Sequence, residues 1–340
     1  MLVFLLVLVF CSAAFLILLF PLISHRADHD ANIKIPANAS AQMVEDSVAL
    51  HLGHDFARRV MKLAALRHPD FSRRHGAYTI PRGANVIEAM RILTSGPQTP
   101  VKITINGFRD INLLIERVSA KMEFPADSLR VALADDDLLS QFGLSPASAL
   151  ALFVNDSYEV YWTSSARDLV RKIGNNYNRI WSPDNSKKAD DLGISPLDVV
   201  IIASITDEET NDRAEKAIVG RLYINRLNAN MPLQADPTIR FALHDFSIKR
   251  VSGAHLKVAS PYNTYTNRGL PPGPIRTTDP ATVKAILNSK PHDYLYMCAK
   301  EDFSGTHNFA RSYDQHRQNA ARYQAELDRR GIERERALTR

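Results

Sequence analysis

Apolar positions recur along this chain with a helical period in some stretches and a strand period in others, with turn residues between them. The first stretch has neither period: from Leu2 to Ser24 no residue is charged, and Leu, Val, Phe and Ile dominate. At about 1.5 Å per helical residue such a run crosses a hydrocarbon core of about 30 Å, so residues 1–24 read as a single N-terminal transmembrane helix, a retained signal anchor. A cleaved signal peptide would have a basic start and a shorter apolar core, and bulky Phe10 before Cys11 argues against a lipoprotein-type cysteine. The nearest basic residues, His25 and Arg26, follow the span, so the positive-inside rule does not orient it. Residues 25–40 are polar and mixed and read as a spacer. Ala41–Leu52 and Asp55–Leu66 have helical spacing, Ala77–Ile80 reads as a strand, and Pro81–Gly83 as a turn. Asn85–Leu93 reads as a helix with Val86, Ala89, Met90 and Leu93 on one face.

A second unit spans residues 99–150. Val101–Ile105 alternates like a half-buried strand, Asn106-Gly107 supplies a turn, and Ile111–Met122 is an amphipathic helix. A third spans 151–333. Phe153–Ser157 leads into an aromatic, strand-like Tyr158–Trp162, and Ser164 or Ser165 caps a helix running to Tyr177. Asp184–Ala189 reads as a polar loop, and Pro196 opens the next helix, a position that suits proline. The predicted class is α+β throughout: a transmembrane helix, a membrane-proximal module over 25–98, a second small module, and a larger α+β domain.

Composition narrows the context. Of the 2 cysteines, Cys11 lies in the span and Cys298 stands alone beyond it, which excludes a disulfide framework. Cys298 sits in the apolar run Tyr294–Ala299 and reads as a buried, inert thiol. The net charge of +5 is modest, and much of it lies in Arg329–Arg340, a solvated helix end. An exported domain has little access to nucleic acid; attraction to an anionic surface stays open. His292, His307 and His316 are too scattered for ligand spacing, no phosphate-binding glycine loop is present, and neither metal nor cofactor is implied.

The chemistry gathers after residue 196. Leu197–Ile205 is apolar on nearly every face of its helix and should be buried; it ends in Asp207, Glu208 and Glu209. At about 100° per residue, Glu209 shares a stripe with Ile205 and Ile202, Glu208 with Ser204 and Ile201, and Asp207 with Ala203 and Val200. A carboxyl held against aliphatic surface beside other acids has its ionised form disfavoured, the state a general acid needs at neutral pH. Acids at a helix end are more often simply solvated, so the weight rests on the segments downstream of the triplet. Asn225-Arg226 closes a helix over Lys216–Leu227, and Leu233–Thr238 supplies Gln234, Asp236 and Thr238 in a proline-shaped segment. Tyr262-Asn263-Thr264-Tyr265 interleaves flat rings with hydrogen-bonding groups, and Gly269–Gly273 is a tight turn. Sugars bind to that mixture of aromatic faces and polar forks.

Together these segments resemble the YceG-like endolytic murein transglycosylases. The family's Ser-Ile-Ile-Glu-Lys-Glu-Thr stretch aligns without a gap on Ser204–Thr210, which puts its catalytic glutamate at Glu209. Its first glutamate becomes Asp207 and its lysine becomes Glu208, so the site looks more acidic and the pKa of Glu209 should rise further. Its Ile-Asn-Arg-Leu recurs at Ile224–Leu227, Leu-Gln-x-Asp-Pro-Thr at Leu233–Thr238, and Tyr-Asn-Thr-Tyr at Tyr262–Tyr265. Its Leu-Pro-Pro-Gly recurs at Leu270–Gly273 and its His-x-Phe at His307–Phe309. Asn155–Tyr158 matches the family's Pro-Asp/Asn-Thr-Tyr without the proline.

The resemblance implies a lytic cut of peptidoglycan by one carboxyl group, Glu209, acting first as acid and then as base. Gln234, Tyr262 and Asn263 would orient the sugar, and Asp236 would position neighbouring groups. Asn225, Tyr265 and His307 would lie within reach of the sugar, with Asp207 and Ser204 behind the acid. It also implies a LysM-like character for 99–150, where glycan contact and a purely supporting role stay equally open. The implied setting is the bacterial inner membrane, single-pass, with the catalytic domain outside the cytoplasm and peptidoglycan synthases as partners. A hydrolytic muramidase using Asp207 or Asp236, a non-catalytic peptidoglycan-binding protein and a membrane-anchored scaffold are the competing readings.

Overall fold

The segment expected to be a polar spacer is a strand, and its alternation explains why. In β1 (Ala31–Ile35) the residues Ala31, Ile33 and Ile35 are buried while Asn32 and Lys34 face outward. It pairs antiparallel with β2 (Gly76–Ile80), Ile33 opposite Tyr78, so a short polar-looking stretch supplies core. The computed structural model describes residues 20, 22, 24–248 and 250–330. Apart from Phe20, Leu22 and Ser24, the expected anchor over 1–24 lies outside the described residues, as does the basic tail beyond 330. Among the described residues no helix is long and apolar enough to cross a membrane.

The chain forms two compact units. The first holds residues up to 103 with 118–125 and 159–165; the second holds 104–117, 126–158 and 166 onward, so residues 99–150 contribute to both. In the first, α1 (Ala41–Leu52), α2 (His54–Ala65) and α3 (Val86–Ser95) close over β1 and β2 around Val44, Phe56, Val60, Tyr78 and Leu93. Asn85 and Glu88 form a capping box at the start of α3. At its other end the Arg74 guanidinium donates to the carbonyls of Ile92, Leu93 and Gly96, satisfying acceptors that a helix terminus leaves open.

The chain runs on through β3 (Val101–Ile105), α4 (Ile111–Ser119), α5 (Ala126–Leu133) and α6 (Asp136–Ser140), and β3, whose residues divide between the two units, pairs with β4 (Asp156–Val160), which divides likewise. The helix α4 stops short of Met122. Strand β4 begins two residues before the expected Tyr158, whose ring is buried and whose hydroxyl donates to the Val154 carbonyl at 3.0 Å. Helix α7 (Ala166–Ile180) follows, and then a correction: Asp184–Ala189 is no loop but part of α8 (Pro183–Asp191). Ser182 caps it, Pro183 opens it, and the pairs Lys188–Asp184 and Lys187–Asp191 brace its exposed face. Only Ala189 is buried, so apolar periodicity had nothing to report.

The centre of the second unit is α9 (Pro196–Glu209). Ser195 and Asp198 form its capping box, and every residue from Val199 to Asp207 is buried. Around it lie α10 (Arg213–Asn228), α11 (Asp236–Ala242) and α12 (Pro280–Leu287). Gly220 lets α10 and α12 approach: a Cβ there would stand 2.4 Å from Ile286 Cγ1. Gly220→Val should therefore cost about 1–3 kcal/mol through overpacking; an unchanged thermal midpoint would show that this contact can yield. A two-stranded ribbon, β5 (Tyr296–Ala299) and β6 (His307–Ala310), then packs with α13 (Tyr313–Arg329).

Candidate active site

Glu209 is the last residue of α9, because Thr210 takes extended backbone and stops the helix. It lies in a cleft of about 400 Å³ that is also lined by Tyr223, Arg226, Gln234, Asp236, Tyr265 and His307. Burial holds the Glu209 carboxyl above the ordinary glutamate value, and the charge of Asp236 pushes the same way. The Tyr223 hydrogen bond, His307 and Arg240 oppose this without reversing it. The Tyr223 hydroxyl donates to Glu209 Oε1 at 2.8 Å, so the proton of a neutral carboxyl sits on Oε2.

The other two acids of the triplet have different partners, because successive helical residues point about 100° apart. Asp207 is buried, accepts from Lys216 Nζ at 2.6 Å and Thr282 Oγ1 at 2.5 Å, and takes the Asp279 backbone N–H at 3.0 Å. It ties α9 to α10 and α12 and is not among the residues that line the cleft. Glu208 accepts from Arg109 at 2.7 and 2.8 Å and from Arg276 at 2.9 Å. The expectation that Glu208 would raise Glu209 further is therefore corrected: two guanidinium groups offset its charge, and burial leads the shift.

Gln234 has φ of +51°, a left-handed conformation that non-glycine residues rarely adopt. Its backbone N–H donates to the Thr264 carbonyl at 3.0 Å, and Arg226 Nη2 donates to its Oε1 at 2.6 Å. A guanidinium can only donate, so the carboxamide oxygen must face Arg226 and the NH₂ group faces away from it. Arg226 is itself held by the carbonyls of Pro232 and Leu295, both at 3.0 Å. Asp236 starts α11 and accepts from the Tyr265 hydroxyl at 2.5 Å. His307 donates from Nδ1 to Glu215 Oε2 at 3.0 Å while its backbone N–H donates to Oε1 at 2.7 Å. That buried carboxylate fixes the ring's tautomer and leaves Nε2 for the cleft.

The remaining sequence-predicted residues stand behind the cleft wall. Asn263 is fully buried: its Nδ2 donates to the carbonyls of Leu256 and Val258, both at 2.9 Å, and its Oδ1 accepts from the Tyr265 N–H. It shapes the turn that presents Tyr265, where a direct sugar contact was expected. Tyr262 packs its ring 4.7 Å from Phe241 and is likewise off the cleft. Asn225 donates to the carbonyls of His292 and Tyr294, holding the approach to β5. Ser204 donates to Ile201 and accepts from the Ile275 N–H at 3.0 Å, anchoring the loop after Gly273. Cys298 corrects a further expectation: it is half-buried and lines the cleft, and burial pushes its thiol pKa up.

Sequence reading named Arg226 only as part of a motif, with no role in the site, and missed Tyr223, Glu215, Tyr296, Tyr313 and His316 as site residues. Tyr223 and Arg226, three apart on α10, share a helix face, and that spacing was the available signal. Tyr313 and His316 share the last helix, and they reach Tyr296 and the cleft only across elements distant in sequence.

The model of the YceG-like family matches residues 33–322. An endolytic murein transglycosylase of Bacillus subtilis is 31% identical over 163 residues, covering 47% of this chain and 43% of that protein. One of Streptococcus pneumoniae is 23% identical over 279 residues, covering 73% of this chain and 50% of its own length. The chain thus spans about half the length of these relatives. A solved YceG-like protein of Listeria monocytogenes superposes with a TM-score of 0.57 at 20% identity, over 86% of this chain and 99% of that one, which shows a shared fold. With a family match over nearly all of both units and a fold that agrees with it, the chain belongs to the YceG-like family.

Proposed function

We propose that this chain is a membrane-anchored peptidoglycan lytic transglycosylase. It would cut the β-1,4 bond between N-acetylmuramic acid and N-acetylglucosamine in nascent strands without water, leaving 1,6-anhydro ends and ending chain growth. The observation that carries the reading is Glu209: one carboxyl buried in a cleft, where burial disfavours its ionised form, beside two acids committed to ion pairs. The endolytic murein transglycosylase names of the Bacillus and Streptococcus relatives support the substrate class.

In this mechanism Glu209 Oε2 gives its proton to the glycosidic oxygen as the bond to C1 breaks, and positive charge develops on C1 and the ring oxygen. The sugar's C6 hydroxyl oxygen then bonds to C1, and its proton returns to the Glu209 carboxylate. No water enters the products and Glu209 ends as it began. The Gln234 NH₂ group and His307 Nε2 serve as polar forks for the sugar. The apolar run over 1–24 would hold the domain near newly made strands and beside a peptidoglycan synthase, on the extracytoplasmic face of the inner membrane. The LysM-like stretch 99–150 would add glycan contact.

A hydrolytic muramidase is the second reading, because Asp236 shares the cleft and could activate water. End-group analysis separates the two: digest uncrosslinked glycan strands with the full chain and weigh the products. Anhydro ends support the proposal; reducing ends, one water heavier, would replace it with hydrolysis by Glu209 and Asp236. Activity should also fall as pH rises through the elevated pKa of Glu209, since the acid must be protonated. A rate that climbs across that range would remove Glu209 as the acid.

A further inference from the structure

Beyond Glu209 the cleft has a wall that the proposed chemistry does not use. Tyr296 of β5 and Tyr313 and His316 of α13 line it together. Tyr296 and His316 stack with ring centroids 5.5 Å apart and planes 24° apart, and Tyr313 lies 5.9 Å from Tyr296 and 6.1 Å from His316. The Arg226 guanidinium sits 5.7 Å from the Tyr296 centroid and is itself pinned by Gln234, Pro232 and Leu295. The ribbon, the last helix and the Gln234 turn are thereby joined through one aromatic cluster.

Two features of the cluster point to a ligand. Tyr313 is 59% exposed although it is a large aromatic at the edge of a concave site, so an apolar ring face is available there. His316 lines the same wall, and burial, aided by the charge of Arg226, lowers the ring's pKa and so favours the neutral imidazole. A neutral imidazole offers one donor and one acceptor, which suits a hydroxyl or an acetamido group. A tyrosine ring offers a flat face to the axial C–H groups of a pyranose and loses little rotamer freedom on contact.

We propose that Tyr313, Tyr296 and His316 form a saccharide-stacking subsite that holds a sugar unit flanking the cleaved bond. The subsite rests on the peptidoglycan reading for the identity of its sugar. Its chemistry demands only an amino-sugar polymer long enough to reach from Glu209 to the aromatic wall. It would make the enzyme select for strand length, because units that reach Tyr313 contribute binding that shorter products lack.

The test measures binding and cleavage separately. In the full-length chain carrying Glu209→Gln, the Kd for uncrosslinked glycan strands is compared with and without Tyr313→Ala and Tyr313→Phe. Tyr313→Ala should weaken binding about tenfold, the worth of an aromatic stacking contact, while Tyr313→Phe, which keeps the ring, should stay close to the parent. Tyr313 is exposed on the first turn of its helix, so both variants should melt with the parent. Equal Kd values for Ala and parent would overturn the subsite, as would an equal loss in Phe and Ala. If strands bind through Tyr313 but the chain with Glu209 intact never cuts them, the subsite stands and the transglycosylase reading falls.

Discussion

Glu209→Gln should abolish strand cleavage, lowering kcat by about 10³-fold, within the range of about 10²–10⁴ that a positioned general acid contributes. The amide keeps the shape of the carboxylic acid, and its oxygen can still accept from the Tyr223 hydroxyl, so the cleft should survive. The same substitution has a stability signature that separates a buried acid from an ordinary surface glutamate. A carboxyl with its folded-state pKa raised above the usual 4.5 contributes stability that is fully present at pH below the unfolded value. That contribution is lost as pH rises through the folded value, because the unfolded chain ionises more readily. The glutamine variant does not titrate. It should therefore melt at or above the wild type at about pH 8 and lose that advantage near pH 4. Melting curves at both values decide it: a variant that is less stable at the higher pH would show that Glu209 is ionised without penalty, and its role as acid would be untenable.

Lys216→Met should destabilise the protein by about 3–5 kcal/mol, the effect of stripping the partner from a buried ion pair. Asp207 would keep its bonds to Thr282 and the Asp279 N–H but would lose the ammonium 2.6 Å away that neutralises it. The damage should be specific to the uncompensated charge. Adding Asp207→Asn to Lys216→Met should recover part of the loss, because a neutral amide needs no counter-ion. Urea unfolding of the two single variants and the double variant measures the coupling. A Lys216→Met loss below about 1 kcal/mol, the range of exposed pairs, would show that solvent reaches Asp207. Activity should suffer alongside, since this junction sets the end of α9 on which Glu209 sits.

These two residues show how far local patterning reaches. The apolar face of Leu197–Ile205 announces a buried helix, and about 100° per residue sends Asp207, Glu208 and Glu209 in three directions. Which direction meets which partner depends on Lys216, Arg109 and Arg276, and only Lys216 is near in sequence. The more acidic appearance of the triplet was thus misleading: charge counted along the chain took no account of the arginines brought in from elsewhere.

The same division runs through the fold. Strand Val101–Ile105 and the Pro196 helix start were legible because short-range rules settle them: alternation and proline at the first turn. Helix Pro183–Asp191 was not, since its support is capping and ion pairs with one buried alanine. Strand Ala31–Ile35 was obscured by Asn32 and Lys34 on its outer face.

By itself the sequence determined the α+β class and the family motifs, because these depend on residue type, spacing and periodicity, and the resemblance carried by those motifs pointed to Glu209 as the candidate acid. Tertiary structure alone decided which polar residues meet in the cleft. Gln234, Asp236, Tyr265 and His307 line it with Glu209, whereas Asn263, Tyr262 and Asn225 turn away to satisfy backbone carbonyls or pack rings. Tyr313 and His316 join from the last helix. The physical reason is that a buried hydrogen-bonding group must find a partner, and that partner is set by how distant segments pack.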